Sequence, residues 1–251
     1  MDKISVVIIT LNEERNIERC IKSVTEVADE VLVIDSLSAD STKKIAESLG
    51  ARVIEQPFLG HIEQKNFAKH QATHDWVLSL DADEALSEQL KLSILGIKKM
   101  GLQGGYTMNR LTNYCGKWIK HSGWYPDVKL RLFRKDDGNW TGVNPHDRYE
   151  LDSTSKVAHL SGNLLHYSFY TMEEHRAQIE KFSDISSRAK YSKGIRSNRL
   201  KVIVKPVAKF LKSFVIKRGF QDGYYGWIIA TYSAYATYLK YSKLLQIQRS
   251  K

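Results

Sequence analysis

Cysteine is scarce in this 251-residue chain: Cys20 and Cys115 stand alone and far apart. They form no metal-type spacing and exclude a disulfide scaffold, which points to a reducing compartment. Cys20 falls on an apolar helical face and reads as a small core residue. No Gly-x-Gly-x-x-Gly follows the first apolar run, which argues against a dinucleotide site. No Gly-x-x-x-x-Gly-Lys-Ser/Thr occurs either, which argues against a P-loop ATPase. That first run begins at Ile4, so a signal peptide is not expected ahead of it. Long apolar runs are also missing. Gly223–Leu239 is uncharged but has only 17 residues, five of them Tyr. It is too short and polar for a spanning helix, and an interfacial or core-packed helix is expected. Acidic residues are absent between Asp184 and Asp222, where 11 Lys and Arg fall.

What is present divides into two parts. From Thr171 onward there are 17 Lys+Arg against 5 Asp+Glu, whereas the first 170 residues hold 21 against 23. A nearly neutral body therefore precedes a strongly basic end, which suggests an anionic partner surface or a solvated helix face. Domains are expected at 1–170 and 171–251. In the second, Met172–Lys193 reads as an amphipathic helix. Ile203, Val207, Phe210, Leu211, Phe214 and Val215 keep helical spacing among lysines, as in a helix lying on a membrane or packed on a domain.

The first 85 residues alternate strand and helix. Ile4–Ile9, Val31–Ile34, Arg52–Glu55 and Trp76–Leu80 are short runs suited to strands. Asn12 is expected to cap a helix burying Ile17, Ile21 and Val24. Helices are also expected over Ser41–Leu49, ending at Gly50, and over His61–Gln71. Strands without polar alternation are buried on both faces, so the expected architecture is α/β with a parallel sheet covered by helices. Ligands in such sheets bind at the carboxyl ends of the strands. Those ends carry Thr10-Leu11-Asn12-Glu13, Asp35-Ser36 and Asp81-Ala82-Asp83-Glu84. Asp-x-Asp at a strand end can hold a hard divalent cation together with substrate phosphates. Asp35 alone reads equally as a turn or helix cap.

Residues 101–170 read as a smaller mixed sheet extending the first, with strands at Gly104–Arg110 and Lys129–Phe133. They carry Trp118, Trp124, Tyr125, Trp140, His146, Asp147, His159 and His166, suited to a sugar cleft or to a core. A base for a reaction at a sugar is expected from this half: His146-Asp147 is the best local pair, with Glu150 and Asp127 as competitors.

The strand-end segments, with Gln64-Lys65-Asn66, resemble the nucleotide-sugar domain of family 2 glycosyltransferases. Later segments are similar to bacterial lipopolysaccharide-core β-1,4-glucosyltransferases: Gly123-Trp124-Tyr125-Pro126-Asp127, Arg131-Leu132-Phe133-Arg134, His146-Asp147, Leu165-His166-Tyr167-Ser168 and Gly219-Phe220-Gln221-Asp222-Gly223. The resemblance implies a GT-A fold, a Rossmann-like mostly parallel central sheet with flanking helices, plus a C-terminal helical extension. It implies inversion at the anomeric carbon and a Mg²⁺ or Mn²⁺ ion. Thr10, Asn12, Glu13 and Asp35 would form the nucleotide site, and Lys65 or Asn66 would lie near the ribose or diphosphate. Asp81 would face the ribose or donor sugar, Asp83 would bind the metal, and His166 would approach it. Asp147 would be the base beside His146, although the subgroup usually has Glu there. Arg131 and Arg134 would meet phosphate or an anionic acceptor, or Arg131 is a plain surface charge. The Gln-x-x-Arg-Trp of processive synthases is absent, so a single transfer is expected. The donor would be a UDP-sugar, most simply UDP-glucose. The acceptor would be a glycolipid or lipopolysaccharide at the inner face of the cytoplasmic membrane, with no nucleic acid. The competing readings are a capsule or exopolysaccharide transferase with another UDP-hexose, a nucleotidyltransferase, and a basic membrane- or nucleic-acid-binding module.

Overall fold

The structure, a computed structural model, describes residues 2–143, 146–152 and 155–250, and of Val143 and His146 only the backbone. Its elements run β1 (Ile4–Thr10), α1 (Ile17–Val24), β2 (Glu30–Asp35), α2 (Thr42–Ser48), β3 (Arg52–Glu55), α3 (His61–Gln71), β4 (Trp76–Asp81), β5 (Glu84–Leu86) and α4 (Glu88–Met100). There follow β6 (Gly105–Tyr114), β7 (Lys117–Trp118), β8 (Asp127–Arg134), β9 (Gly138–Val143), β10 (His146–Leu151), β11 (Val157–Phe169), α5 (Met172–Ser192), α6 (Arg199–Leu211) and α7 (Tyr224–Arg249). Two compact units result: Met1–Arg110 with Asp127–Tyr167, and Leu111–Pro126 with Ser168–Lys251. The second unit thus gathers a mid-chain segment, the end of β6 with β7 and the turns after it, as well as the basic end.

Among the described residues the main sheet runs β3-β2-β1-β4-β8-β6-β11-β5, with β7 on β6. The first four strands are parallel, and β8 joins β4 antiparallel. All seven residues of β1 are buried. Val6 and Ile8 enter one core with α1 residues Ile17, Cys20, Ile21 and Val24. Val7 and Ile9 enter another with Phe133, Trp140 and Tyr149. Successive side chains of a strand point to opposite faces, so continuous burial means both faces are covered. The register sets Thr10 beside Asp35 and Ile9 beside Asp81, bringing three polar strand ends to one edge.

Helix α1 starts later than the sequence suggests, and Asn12 does not cap it. Asn12 sits in a left-handed turn (φ 56°), and Asn16 holds the N-cap position. Asn tolerates that conformation better than most residues. Its side-chain oxygen accepts from the Ala39 amide at 2.8 Å, a contact across to the next loop that outcompetes a local cap. Glu13 and Glu14 accordingly lie in the turn before the helix, outside its first turn.

In the second unit Tyr114, Trp124, Phe169, His175 and Tyr225 pack as an edge-to-face aromatic cluster. The Tyr114 hydroxyl lies 3.0 Å from His175 Nδ1. Asp222 accepts from the amides of Lys120 (3.2 Å) and His121 (2.9 Å), which explains part of the Gly219–Gly223 motif. Gly226 explains the neighbouring spacing: a Cβ there would overlap the Gly219 carbonyl oxygen. Helix α7 extends to Arg249, past the expected Leu239. No helix among the described residues is long and apolar enough to cross a membrane.

Burial lowers the His175 pKa to about 4. Unfolded, the imidazole titrates near its ordinary 6.5, so between these values the unfolded chain binds the extra proton. Stability is therefore full above pH 6.5 and falls as pH drops toward 4, by on the order of 2–3 kcal/mol from this group. Thermal melts across that window should show the loss in the parent and a smaller one in His175→Gln. Equal slopes would remove His175 as the cause.

Candidate active site

The loops after β1 and β2 are stitched together by side chain to backbone bonds. The Asn12 amide donates to Ser38 Oγ (2.8 Å), the Glu13 amide to Thr42 Oγ1 (2.7 Å) and the Glu14 amide to Asp40 Oδ2 (3.1 Å). Asp35 is fully buried and accepts from the Ser38 amide (2.8 Å) and hydroxyl (2.6 Å). Its local role is therefore an Asx-type turn that shapes the loop. Thr10 Oγ1, at the same edge, is buried without a hydrogen-bond partner. Burial pushes the Glu13 carboxyl up to about 7, despite a bond from Asn16 Nδ2 at 2.6 Å.

Asp81 is the centre of a buried ion network. Lys65 Nζ lies 3.0 Å from its Oδ1, and Arg131 Nη2 donates to its Oδ2 at 2.9 Å. The same Nη2 reaches Glu84 Oε1 at 2.7 Å, and the Asp81 amide donates to Glu84 Oε2 at 3.0 Å. Arg110 adds a second cation 3.5 Å from Glu84. Burial alone would raise the Asp81 pKa, but Lys65 and Arg131 outweigh it and hold the carboxyl well below the usual range. The Arg131 guanidinium shows the complement: burial opposes its charge, and Glu84 and Asp81 more than compensate. Arg131 is therefore no surface charge. Its Nε and Nη1 are buried and unpartnered, as is Trp140 Nε1, leaving donors for an anionic or hydroxylated ligand. Arg134, three residues on, is exposed.

Lys65 also donates to Asp147 Oδ2 at 2.8 Å, so one ammonium ties the strand-end Asp81 to the second candidate carboxylate. Both it and Arg131 lie over the Trp140 ring, 4.6 and 5.7 Å from the centroid. Asp147 sits on β10, paired with β9. Helix α3 grips this hairpin. Asn66 gives Nδ2 to the Trp140 carbonyl (2.9 Å) and takes the Trp140 amide (3.0 Å), while Lys69 Nζ donates to the Lys135 carbonyl (2.8 Å) and Asn139 Oδ1 (2.9 Å). Phe133 stacks on Tyr149 at 3.5 Å. Alternation on β10 puts Asp147 with Tyr149 on the inner side and sends Glu150 outward, where it pairs with Arg148. Asp127 is held by Arg110 (2.8 Å) and Lys129 (3.0 Å). The His146 side chain lies outside the described residues.

Asp83 Oδ2 is 3.1 Å from His166 Nε2. Burial would lower the imidazole pKa, but the Asp83 carboxylate raises it. Among the described residues no group of three His, Cys, Asp or Glu is placed to hold a metal. An oxygen and nitrogen donor pair fits a cation that takes its remaining ligands from water and substrate phosphates, as Mg²⁺ and Mn²⁺ commonly do. Asp81 and Asp83 keep 27% and 24% of their side-chain surface open, which lets a ligand reach them.

The structure brings together Thr10, Asp35 and Asp81 by register, and Lys65, Asp81, Arg131 and Asp147 by direct contact. Asn66 faces the hairpin backbone. Glu84 and Arg110 complete the network and were not singled out from sequence. Glu84 stood in the quoted motif; Arg110 left no signal beyond its place on an alternating strand.

Residues 5–147 match the family model described as glycosyl transferase family 2. A glycosyltransferase of Rickettsia typhi is 34% identical over 98% of this chain and 88% of its own length. The lipopolysaccharide core biosynthesis glycosyltransferase LpsC of Rhizobium meliloti is 26% identical over 97% and 92%. Glucosyl-3-phosphoglycerate synthase from Mycobacterium tuberculosis, in complex with Mn²⁺, UDP and glucosyl-3-phosphoglycerate, is 28% identical over 45% of this chain and 44% of that one, with a TM-score of 0.37. The chain is a member of glycosyl transferase family 2, and so an enzyme.

Proposed function

We propose that this enzyme moves a single hexose, most simply glucose, from a UDP-sugar to a lipid-linked or lipopolysaccharide-core acceptor, with inversion and with a divalent cation. The observation that carries the reading is the Lys65 ammonium shared by Asp81 and Asp147, beside the Asp83–His166 pair. Family membership and the name of the Rhizobium relative support the reaction class and the acceptor class. Membership also displaces the nucleotidyltransferase and the purely binding module.

Asp83 and His166 would hold the cation, Mn²⁺ or Mg²⁺, which when bound neutralises diphosphate charge as a Lewis acid. The chain's own residues do the rest. The stitched loops with Thr10, Asn12, Glu13 and Asp35 form the nucleoside end of the cleft. Asp81, fixed as a carboxylate by two cations, orients the ribose or donor sugar. Asp147 accepts the proton of the acceptor hydroxyl, which then attacks the anomeric carbon opposite the UDP. Lys65 holds that carboxylate in place, and the free Arg131 N–H groups meet anionic or hydroxyl groups of the substrates. Helix α3 carries Lys65 and clamps the hairpin, so base and donor site share one support. The basic C-terminal helices belong, in this reading, at the inner face of the cytoplasmic membrane.

The test is product stereochemistry. With UDP-glucose, whose sugar is α-linked, proton NMR of the product should show a β-linkage and one UDP released per sugar transferred. An α-linked product would overturn the inverting role of Asp147. Efficient transfer from another UDP-hexose and none from UDP-glucose would move the donor to that sugar.

A further inference from the structure

Helix α6 buries none of its thirteen residues. At about 100° per residue, Leu200, Ile203, Val204, Val207 and Leu211 fall along one line of the helix. All five are exposed; Leu200 is 68% and Ile203 65% accessible. The half-buried positions are instead Lys201, Val202, Pro206 and Phe210, the last three on the side turned to its own unit, where α7 packs against α6. The strongest apolar stripe of the helix therefore faces away from the core that would normally take it. Lys201, Lys205, Lys209 and Lys212 occupy the adjoining flank, and no acidic residue lies between Asp184 and Asp222.

We propose that this stripe is a docking face for an anionic phospholipid bilayer, with its aliphatic residues among the acyl chains and its lysines among the headgroups. The proposal names the surface for the membrane partner suggested above and rests on that reading. Charge and shape separate three candidate occupants. A second copy meeting the stripe about a two-fold axis would bring two acid-free basic flanks together, which repel. Nucleic acid would use the lysines and leave the aliphatic stripe in water. An anionic bilayer uses both features, each on the side where the helix presents it.

The test is flotation of the full chain with phosphatidylcholine vesicles, with and without phosphatidylglycerol, at physiological salt. The parent should float with the anionic vesicles and stay behind with the neutral ones. Ile203→Ser with Val207→Ser should lower partitioning on the order of a hundredfold. Lys205→Glu with Lys209→Glu should lower it by more than about tenfold. Circular dichroism and UDP titration check that each variant is folded. Should the serine pair fail to fold, the exposed lysine pair carries the test. Partitioning unchanged in either folded variant, or equal on neutral vesicles, overturns the proposal. So does a dimer in vesicle-free ultracentrifugation that the serine pair abolishes, or RNA binding that outcompetes vesicles. A parent that floats but binds no UDP supports the docking face and contradicts the donor reading.

Discussion

Asp147→Asn is expected to lower kcat by about a thousandfold, within the range that loss of a general base produces. The amide oxygen of Asn still accepts a hydrogen bond, so the contact from Lys65 Nζ at 2.8 Å can persist and the hairpin need not move. UDP-sugar affinity should stay near the parental value, because Lys65 retains Asp81 as its second partner. Glu150→Gln and Asp127→Asn serve as controls. Glu150 points outward to Arg148, and Asp127 is neutralised by Arg110 and Lys129, so both variants should keep most activity. Steady-state kinetics with the donor and acceptor varied separately decides the matter. Near-parental turnover in Asp147→Asn would transfer the base role to whichever control had lost it.

The second large effect falls on stability. Arg131→Met leaves Asp81 and Glu84 facing each other with their bridging cation gone. Arg131 is 3% exposed and the Glu84 side chain 0%, so water does not reach the Glu84 carboxylate in its place. Breaking a buried pair by removing one partner costs about 3–5 kcal/mol. For a chain of this size that corresponds to a fall in Tm of roughly 6–20 °C. Arg131→Lys should recover part of the loss, since it restores the charge without the two-armed guanidinium. The scale is read by denaturant unfolding of the three proteins side by side. A cost under about 1 kcal/mol for Arg131→Met would mean that the network behaves like an exposed ion pair.

Arg131 also marks where the sequence stops being readable. Val128 to Phe133 alternates, and alternation in a strand implies one wet face. Strand β8 lies between β4 and β6, however, and the polar side of Arg131 is covered by a carboxylate network contributed by β4 and β5. Helix α3 misleads in the same way. Its buried positions include Gln64, Lys65 and Lys69, so no apolar stripe announces its inner face. Those side chains are buried because they bind carboxylates, a hydroxyl and backbone carbonyls of residues outside the helix, from eight to eighty-two positions away, a condition that local spacing does not encode. Polar strand ends were legible for the opposite reason. Continuous apolar runs such as Ile4–Ile9 can only be interior strands, and parallel pairing then puts Thr10, Asp35 and Asp81 on one edge. The periodicity of α6 was legible too, but which of its lines meets protein was not. Leu111–Pro126 reads as part of the first domain, yet it groups with the C-terminal helices, where Tyr114 and Trp124 join the aromatic cluster.

The central claim is that Asp83 and its neighbours form a cation-assisted UDP site. It is tested most directly by calorimetric titration of UDP into the purified protein with Mn²⁺, and then with EDTA. The account predicts binding that EDTA removes and that Asp83→Ala abolishes, with the circular dichroism of that variant unchanged. His166→Ala should weaken the same binding. UDP binding that is indifferent to EDTA and survives in Asp83→Ala would contradict the cation assignment, and no UDP binding under either condition would contradict the donor site itself.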